Sequence, residues 1–241
     1  MDLVKTEESK LANIDLVSMI DDVPVDAKDY LIPSLLLMQS TSDLVKKELA
    51  RTGEIRDSVS QAKIMERGKS MEFLAFSVFK SWITLTQKGS KYIRQVPYTA
   101  ENCMWPRETT FDGVDVVNYE TLNYYVLLPD EIKSGLYVPY LLSFRSTNYR
   151  AGKALETARA KLQEFKKPLA FKVFSLSAQP AENDKGSWFM YQVQESRNAT
   201  DQELLAAKKW FDIVKSGKTR VDESAYSESD VSHTVTESDK F

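Results

Sequence analysis

The amino-acid sequence has very little cysteine and histidine: Cys103 and His233 are the single examples of each among 241 residues. One thiol cannot form an intramolecular disulfide, which fits a reducing compartment. A conventional zinc site needs several such ligands, and a serine or cysteine nucleophile needs a nearby base, so both kinds of site are nearly excluded. Neither GxGxxG nor GxxxxGK occurs, so we predict no glycine-rich phosphate loop and expect no cofactor.

Long apolar runs are also missing. The segment LIPSLLLMQS is far too short to cross a bilayer, and the N-terminus shows no basic region followed by an apolar run. We therefore expect no membrane partner, no secretory signal and a cytoplasmic location. A hydrophobic content of 42% with 11% aromatic residues is sufficient for a folded core.

Charge is distributed unevenly along the chain. Residues 1–30 contain eight acids and three lysines, and residues 222–241 contain six acids and one lysine, so each end carries −5. Because the whole chain carries −3, residues 31–221 carry +7. A basic body suits a polyanionic partner, although acidic ends can equally serve solubility alone. We expect an acidic N-terminal extension (1–30), one folded domain (31–220) and a flexible acidic C-terminal tail (221–241).

Alternating apolar and β-branched residues predict strands, and helical spacing predicts two long helices. The predicted strands cover 71–87, 91–98, 119–129, 135–146, 169–178 and 187–196, and the predicted helices cover 43–50, 147–167 and 201–217. In the first strand, alternation places Phe73, Ile83 and Leu85 on one face and Lys80 and Trp82 on the other. Residues 99–118 are predicted to be irregular. This order favours a mainly β α+β fold, an OB-like antiparallel β-barrel with inserted and C-terminal helices.

Carboxylates that could hold Mg²⁺ are the signature expected of a nuclease. The closest candidate is PDEIK, with Asp130, Glu131 and Lys133. Adjacent acids on a strand would point to opposite faces, and the segment lies at a turn bounded by Pro and Gly, so a solvated turn is the stronger interpretation. We expect no enzyme and no metal site. A Mg²⁺-dependent nuclease or recombination enzyme stays as the alternative function, and a non-catalytic adaptor protein is a third.

Basic residues alternate with aromatic residues along the predicted strands and at the start of the central helix. Single strands of nucleic acid are bound by rings that stack on bases and by cations that contact phosphates. The candidate contacts are Lys80, Trp82, Tyr92, Arg94, Trp105, Arg107, Tyr125, Arg145, Tyr149, Arg150 and Lys153. For each aromatic residue the alternative is a place in the core. Their coincidence in one chain predicts single-stranded DNA as the partner.

Four segments carry a resemblance to a known family: IPSLLLMQSTS, MEFLAFSVFKSWI, YLLSFRSTNYRAGKAL and FSLSAQPAENDKGSWFMYQV. Over roughly residues 30–215 the chain resembles the single-stranded-DNA-binding proteins of tailed bacteriophages. The resemblance implies an OB-fold barrel that coats single-stranded DNA, without much sequence preference, during replication and recombination. A homo-oligomer is compatible with such a role, and the expected cytoplasmic location is that of the host cell if a phage encodes the chain.

The same resemblance gives the tail ESAYSESDVSHTVTESDKF an expected role. In that group an acidic tail with an aromatic last residue contacts replication or recombination proteins. On this sequence the implied contacts are Asp230, Glu237, Asp239 and the terminal Phe241. The tail departs from the pattern because it is rich in Ser and Thr, is only moderately acidic, and places Lys240 beside the tip.

Overall fold

The structure is a computed structural model that describes residues 31–87, 91–184, 186–216 and 220–221. The strands are β1 (Leu31–Ile32), β2 (Leu35–Leu37), β3 (Ile55–Asp57), β4 (Lys63–Met65), β5 (Ser70–Thr86), β6 (Tyr92–Pro97), β7 (Glu108–Phe111), β8 (Val114–Leu127), β9 (Tyr140–Phe144), β10 (Lys172–Asn183), β11 (Gly186–Asn198) and β12 (Arg220–Val221). The helices are α1 (Asp43–Lys46), α2 (Pro129–Lys133), α3 (Tyr149–Glu164) and α4 (Asp201–Lys215), with 3-10 turns at Ser146–Asn148 and Leu169–Phe171.

Two long antiparallel strands, β5 and β8, form the centre of the largest sheet. Along the other edge of β5, β10 pairs with its first residues and β6 with its last. β9 and β7 divide the edge of β8 in the same way, and β11 extends the sheet beyond β10. A smaller sheet has the order β2-β3-β4, and β1 pairs in parallel with β12.

The fold is therefore mainly β with some helices, built largely from antiparallel sheets. Within the described ranges, none of these sheets closes on itself, so the predicted OB-like barrel is not confirmed. No helix in the same ranges is both long and apolar enough to span a bilayer.

Apolar side chains from the two faces of the large sheet form two cores. One face packs against α3, through residues such as Phe73, Tyr124 and Phe144. The other face packs against α4, through residues such as Ile83 and Leu127. Helix α3 lies close to the sheet at Gly152, where an added Cβ would come within 2.8 Å of Phe144 Cβ. This approach fixes the position of the α3 N-terminus beside the sheet.

A β-bulge in β5 changes which side chains lie on each face of this strand. The strand predicted at 71–87 is confirmed as β5, but its register against β8 shifts between Ala75 and Ser77. A bulge moves the following side chains to the opposite faces. Phe73 therefore belongs to the core under α3, whereas Ile83 and Leu85 belong to the core under α4. The prediction of one shared apolar face was wrong.

Other predicted elements differ mainly at their ends. The irregular segment 99–118 contains β7 and the first residues of β8, so that prediction was wrong over 108–111 and 114–118. The helix predicted at 43–50 is only α1, with four residues. The strand predicted at 135–146 begins at Tyr140, after Pro139, which has no amide for a ladder. The predicted acidic extension (1–30) and the predicted tail beyond Val221 lie outside the described residues.

Candidate nucleic-acid interface

Three aromatic rings cluster at the end of the sheet where β6 and β7 flank β5 and β8, with Trp82 stacked on Tyr98 and tilted against Trp105. Trp82 on β5 has its ring centroid 5.8 Å from that of Tyr98 and 6.2 Å from that of Trp105. Tyr98 follows β6, and Trp105 lies in the connection from β6 to β7. Trp82 is only 7% exposed, while Tyr98 and Trp105 are partly exposed. The buried indole thus supports two rings that reach the surface.

Cationic side chains lie over the faces of these and neighbouring rings. The Arg94 guanidinium is 5.0 Å from the Trp105 centroid and 4.0 Å from that of Phe111. Lys80 Nζ is 5.1 Å from the Tyr98 centroid. Cation–π contacts of this kind hold positive charge beside an aromatic face, so rings and cations are presented together.

A pocket of about 430 Å³ opens beside the stacked rings. Its lining consists of Trp82, Trp105, Arg107, Asn118, Tyr119, Glu120, Ser146, Thr147 and Tyr149. On the β8 edge, β7 pairs as far as Val117 and β9 begins at Leu122, so the pocket lies at the gap between two ladders. The Arg107 guanidinium stands 5.9 Å from the Tyr119 centroid at this gap. The volume is in the range of sites that bind small ligands or single nucleotides.

One carboxylate organises the wall of the pocket. Glu120 Oε1 accepts hydrogen bonds from Lys80 Nζ at 3.1 Å and from the Tyr149 hydroxyl at 2.5 Å. Burial and the bond to Glu120 raise the pKa of Tyr149 above its usual range, so this phenol stays protonated. Lys153 Nζ lies 5.3 Å from the Tyr149 centroid. The first residues of α3 are thereby joined to β5 and β8.

Two buried nitrogen donors in this region have no hydrogen-bond partner among the described residues. They are Trp82 Nε1 and Arg94 Nε. Buried donors are nearly always paired in native proteins, with protein, water or ligand. Both atoms have almost no exposed surface, so in this conformation neither reaches a ligand outside the protein.

Most of the predicted contacts come together in this place. Lys80, Trp82, Arg94, Trp105, Arg107, Tyr149 and Lys153 all line the pocket or touch a ring around it. Arg150 is exposed in the first turn of α3, next to Tyr149. These residues come from β5, β6, the β6–β7 connection and α3, so only the fold makes them neighbours.

Three predicted contacts lie away from this pocket. Tyr125 is 8% exposed, stacks on Phe76 and contacts the tilted ring of Phe79 in the core under α4, where burial raises its pKa. Tyr92 is half-buried against the same core. Arg145 is 3% exposed, immediately before the 3-10 turn that precedes α3. Tyr125 and Arg145 are therefore buried in this conformation, whereas Tyr92 keeps part of its surface exposed, and a DNA contact by any of the three stays a prediction.

Four residues of the site were missing from the predicted set. Tyr98, Phe111 and Tyr119 supply rings to the cluster, and Glu120 supplies the carboxylate. A signal existed for two of them, because Tyr98 and Tyr119 stand at the ends of predicted strands. Nothing in the sequence marked Phe111 or Glu120, whose places depend on strand pairing.

The candidate nuclease residues lie on α2, away from this pocket. Lys133 Nζ is 2.8 Å from Asp130 Oδ1, while Glu131 Oε1 accepts from the Tyr140 hydroxyl at 2.7 Å. The two carboxylates are therefore engaged with different partners. Across residues 31–87, 91–184 and 186–216, no three His, Cys, Asp or Glu side chains are grouped so that they could hold a metal ion. The tail residues Asp230, Glu237, Asp239 and Phe241 lie outside the described residues.

Comparison with known proteins adds one family. The family model described as Pam3 phage gp34-like protein matches residues 106–220, slightly less than half of the chain. The similarity indicates a bacteriophage protein. The family description names no activity. The match therefore indicates the origin of the protein and does not indicate its function. Searches of the curated proteins and of the solved structures found no match.

Proposed function

We propose that this phage-related protein binds single-stranded DNA without catalysing a reaction. The observation that carries the proposal is the convergence of stacked rings and ring-bound cations, Trp82, Trp105 and Arg94 among them, on one pocket. Base stacking on exposed rings and phosphate contact by adjacent cations are what binding of a single strand requires. The phage similarity and the resemblance in sequence support a role in phage DNA replication or recombination.

The proposed contacts divide by accessibility. Tyr98 and Trp105 offer partly exposed faces on which bases stack, and the buried Trp82 keeps both rings in place. Arg107, Arg150 and Lys153 are exposed and contact phosphates. Because rings accept any base and cations accept any phosphate, binding tolerates many sequences.

We also propose an OB-like arrangement of the strands. Side chains and single bridges connect elements that share no ladder: Leu141 N donates to Pro33 O at 2.8 Å, and Gln39 bonds both the N–H and the C=O of Phe189 at 2.9 Å. Pro33, before β2, thereby contacts β9, and Gln39, after β2, contacts β11. These hydrogen bonds connect strands that share no ladder and support a barrel-like closure of the sheets.

The first test is affinity for a labelled oligonucleotide as a function of salt. Each phosphate contact releases counterions, so the affinity falls steeply between about 50 and 200 mM salt. Retardation of single strands and not of duplex is the expected pattern. An affinity that stays flat with salt contradicts the proposal, and cleavage of the oligonucleotide in Mg²⁺ that Asp130→Ala abolishes favours the nuclease instead.

The decisive variant is Trp105→Ala. Loss of one stacked base costs about 1–3 kcal/mol, so we expect the dissociation constant to rise by roughly one order of magnitude. Met104→Ala is the matched control, because Met104 is the preceding residue and is 88% exposed without a ring. Equal affinities of the two variants would place the stacking site elsewhere.

A second pair of variants tests the phosphate contacts. Arg107→Ala is expected to reduce the slope of log affinity against log salt by about one contact. Lys208→Ala removes the same charge from α4, on the opposite face of the sheet, where Lys208 pairs with Asp212. If both variants change the slope equally, net charge alone governs binding and the pocket has no special part in it.

A further inference from the structure

A second group of rings and lysines lies at the far end of α3. Phe165, the C-cap residue, is 73% exposed. Lys167 Nζ lies 3.8 Å from the centroid of Phe171. Lys161, Phe165, Lys167 and Phe171 line a pocket of about 380 Å³ at this place. Leu162, Phe165 and Phe171 line this pocket together, so the apolar surface here is a contiguous patch bordered by lysines.

Positive charge dominates this second surface. Residues 159–172 contain five basic residues and one acid, Glu164. Two of the basic residues are paired, Arg159 with Glu156 and Lys172 with Glu195 at 3.6 Å. Lys161, Lys166 and Lys167 are exposed and form no ion pair with another described residue. The remaining charge is therefore available to an anion.

One face of α3 connects the two surfaces. Lys153, Thr157 and Lys161 are spaced by four residues, so their side chains lie along the same side of the helix, and all three are exposed. Lys153 contacts Tyr149 of the first pocket, and Lys161 lines the second. With a rise of 1.5 Å per residue, Tyr149 and Phe165 are about 24 Å apart along the axis. That separation is short enough for a single strand of several nucleotides to span.

We infer that the surface around Phe165 is a second stacking and phosphate site for the same DNA strand, which runs along the exposed face of α3. The inference rests on the proposed function and extends it from one pocket to a track. Phe165 stacks on a base, while Lys161, Lys166 and Lys167 contact phosphates. The negative charge of Glu164 repels nearby DNA phosphates. Glu164→Gln is therefore expected to tighten the binding of long DNA strands only.

The test uses oligonucleotides of two lengths. Sites on OB folds range from about 4 to 16 nucleotides, so we expect a 4-mer to fill the first pocket alone and a 16-mer to reach both. In the variant Phe165→Ala with Lys161→Gln, affinity for the 16-mer is expected to fall about tenfold, while affinity for the 4-mer is unchanged. Phe165→Tyr keeps a ring and is expected to bind as the wild type does.

The matched control is Leu205→Ala with Lys208→Gln on α4, which removes one exposed apolar residue and one charge from another face. All variants are first checked for an unchanged thermal unfolding midpoint. Equal losses of affinity for the 4-mer and the 16-mer contradict the proposed path of DNA along α3. An unchanged affinity for the 16-mer, while Trp105→Ala still weakens binding, contradicts it as well. In both cases the proposal for the first pocket stands. If the wild type binds no oligonucleotide of either length, both proposals fail.

Discussion

Glu203 and Arg197 form the best-connected ion pair in the described part of the chain. Glu203 is 3% exposed, accepts from the Thr200 amide at 2.7 Å, and receives Arg197 NH2 on Oε1 at 2.7 Å. Arg197 also binds Glu72 at 2.9 Å. The pair therefore joins the first turn of α4 to β11 and β5. The Arg197 guanidinium is the main cause that lowers the pKa of Glu203 below its usual value.

The Glu203→Gln variant tests this linkage between charge and stability. The carboxylate contributes stability above its unfolded pKa of about 4.3, and the contribution is lost as pH falls through the lower folded pKa. We expect the free energy of unfolding to drop by about 2 kcal/mol at pH 7, because Arg197 and the Thr200 amide lose a charged partner. The difference should shrink below about pH 4. Denaturant unfolding at several pH values measures it.

Glu182→Gln provides the comparison, since Glu182 is exposed on β10 and makes no ion pair with another described residue. Its unfolding free energy should follow that of the wild type at every pH. If the Glu203→Gln difference stays constant from pH 7 to pH 3, the stabilisation does not come from the ionised carboxylate.

Tyr125 and Trp82 lie on strand faces that the sequence pattern predicts to be exposed, yet both side chains are buried. The residues beside Tyr125 on its face, such as Asn123, are polar, so this face resembled one exposed to solvent. Asn123 is nevertheless completely buried, because it donates to Ser81 Oγ at 2.9 Å and accepts from Ser143 Oγ at 2.8 Å. A paired polar row inside the fold has the same sequence pattern as a solvated face.

At the scale of elements, the long strands and both long helices could be predicted, because their periodicity extends over many residues. The capping box at α4 is an example: Thr200 and Glu203 exchange hydrogen bonds as the sequence TDQE leads one to expect. Pairing could not be predicted. That β10 shares one edge of β5 with β6 depends on contacts between residues about 100 positions apart, such as Leu74 and Val173. The gap beside the pocket follows from the similar division of the β8 edge between β7 and β9.

The Gln39→Ala variant tests the bridge between the segment after β2 and β11. Gln39 is 4% exposed, and its amide satisfies both backbone groups of Phe189. Removing it leaves a buried N–H and a buried C=O unpaired, which costs about 1–3 kcal/mol. We expect a lower free energy of unfolding together with faster hydrogen exchange at the Phe189 amide. Gln179→Ala, at an exposed position of β10, is the control.

Hydrogen exchange distinguishes this bridge from a general loss of stability. If the Phe189 amide exchanges no faster than other amides of β11 in the Gln39 variant, the bond is not specific. The OB-like closure would then lack the contact that best supports it.

For the whole molecule, the two proposed sites lie on the face of the large sheet that α3 covers. The opposite face packs against α4. Arg107, Arg150, Lys153 and Lys161 are exposed at or beside these two sites, while other exposed basic residues, such as Lys208, lie on α4. Net charge predicts that a polyanion binds, and only the arrangement of strands and α3 predicts where.

The last prediction concerns residues 222–241, which lie outside the described residues and enter through their charge alone. Deleting them removes −5 and changes the net charge of the chain from −3 to +2. If the tail competes with DNA for the basic face, the truncated chain binds single strands several-fold more tightly at low salt. The gain should disappear as the Debye length shrinks from about 10 Å at 0.1 M to about 3 Å at 1 M.

A full-length control separates charge from chain length. Replacing the six acids of residues 222–241 by Asn and Gln keeps Phe241 and the length of the tail while neutralising the acids. Competition by charge predicts that this variant binds DNA as tightly as the truncated chain. If it binds as weakly as the wild type, the tail occludes the site by volume. If neither change affects affinity at any salt concentration, the tail is no competitor, and a role for Phe241 has to be sought in binding of a partner protein.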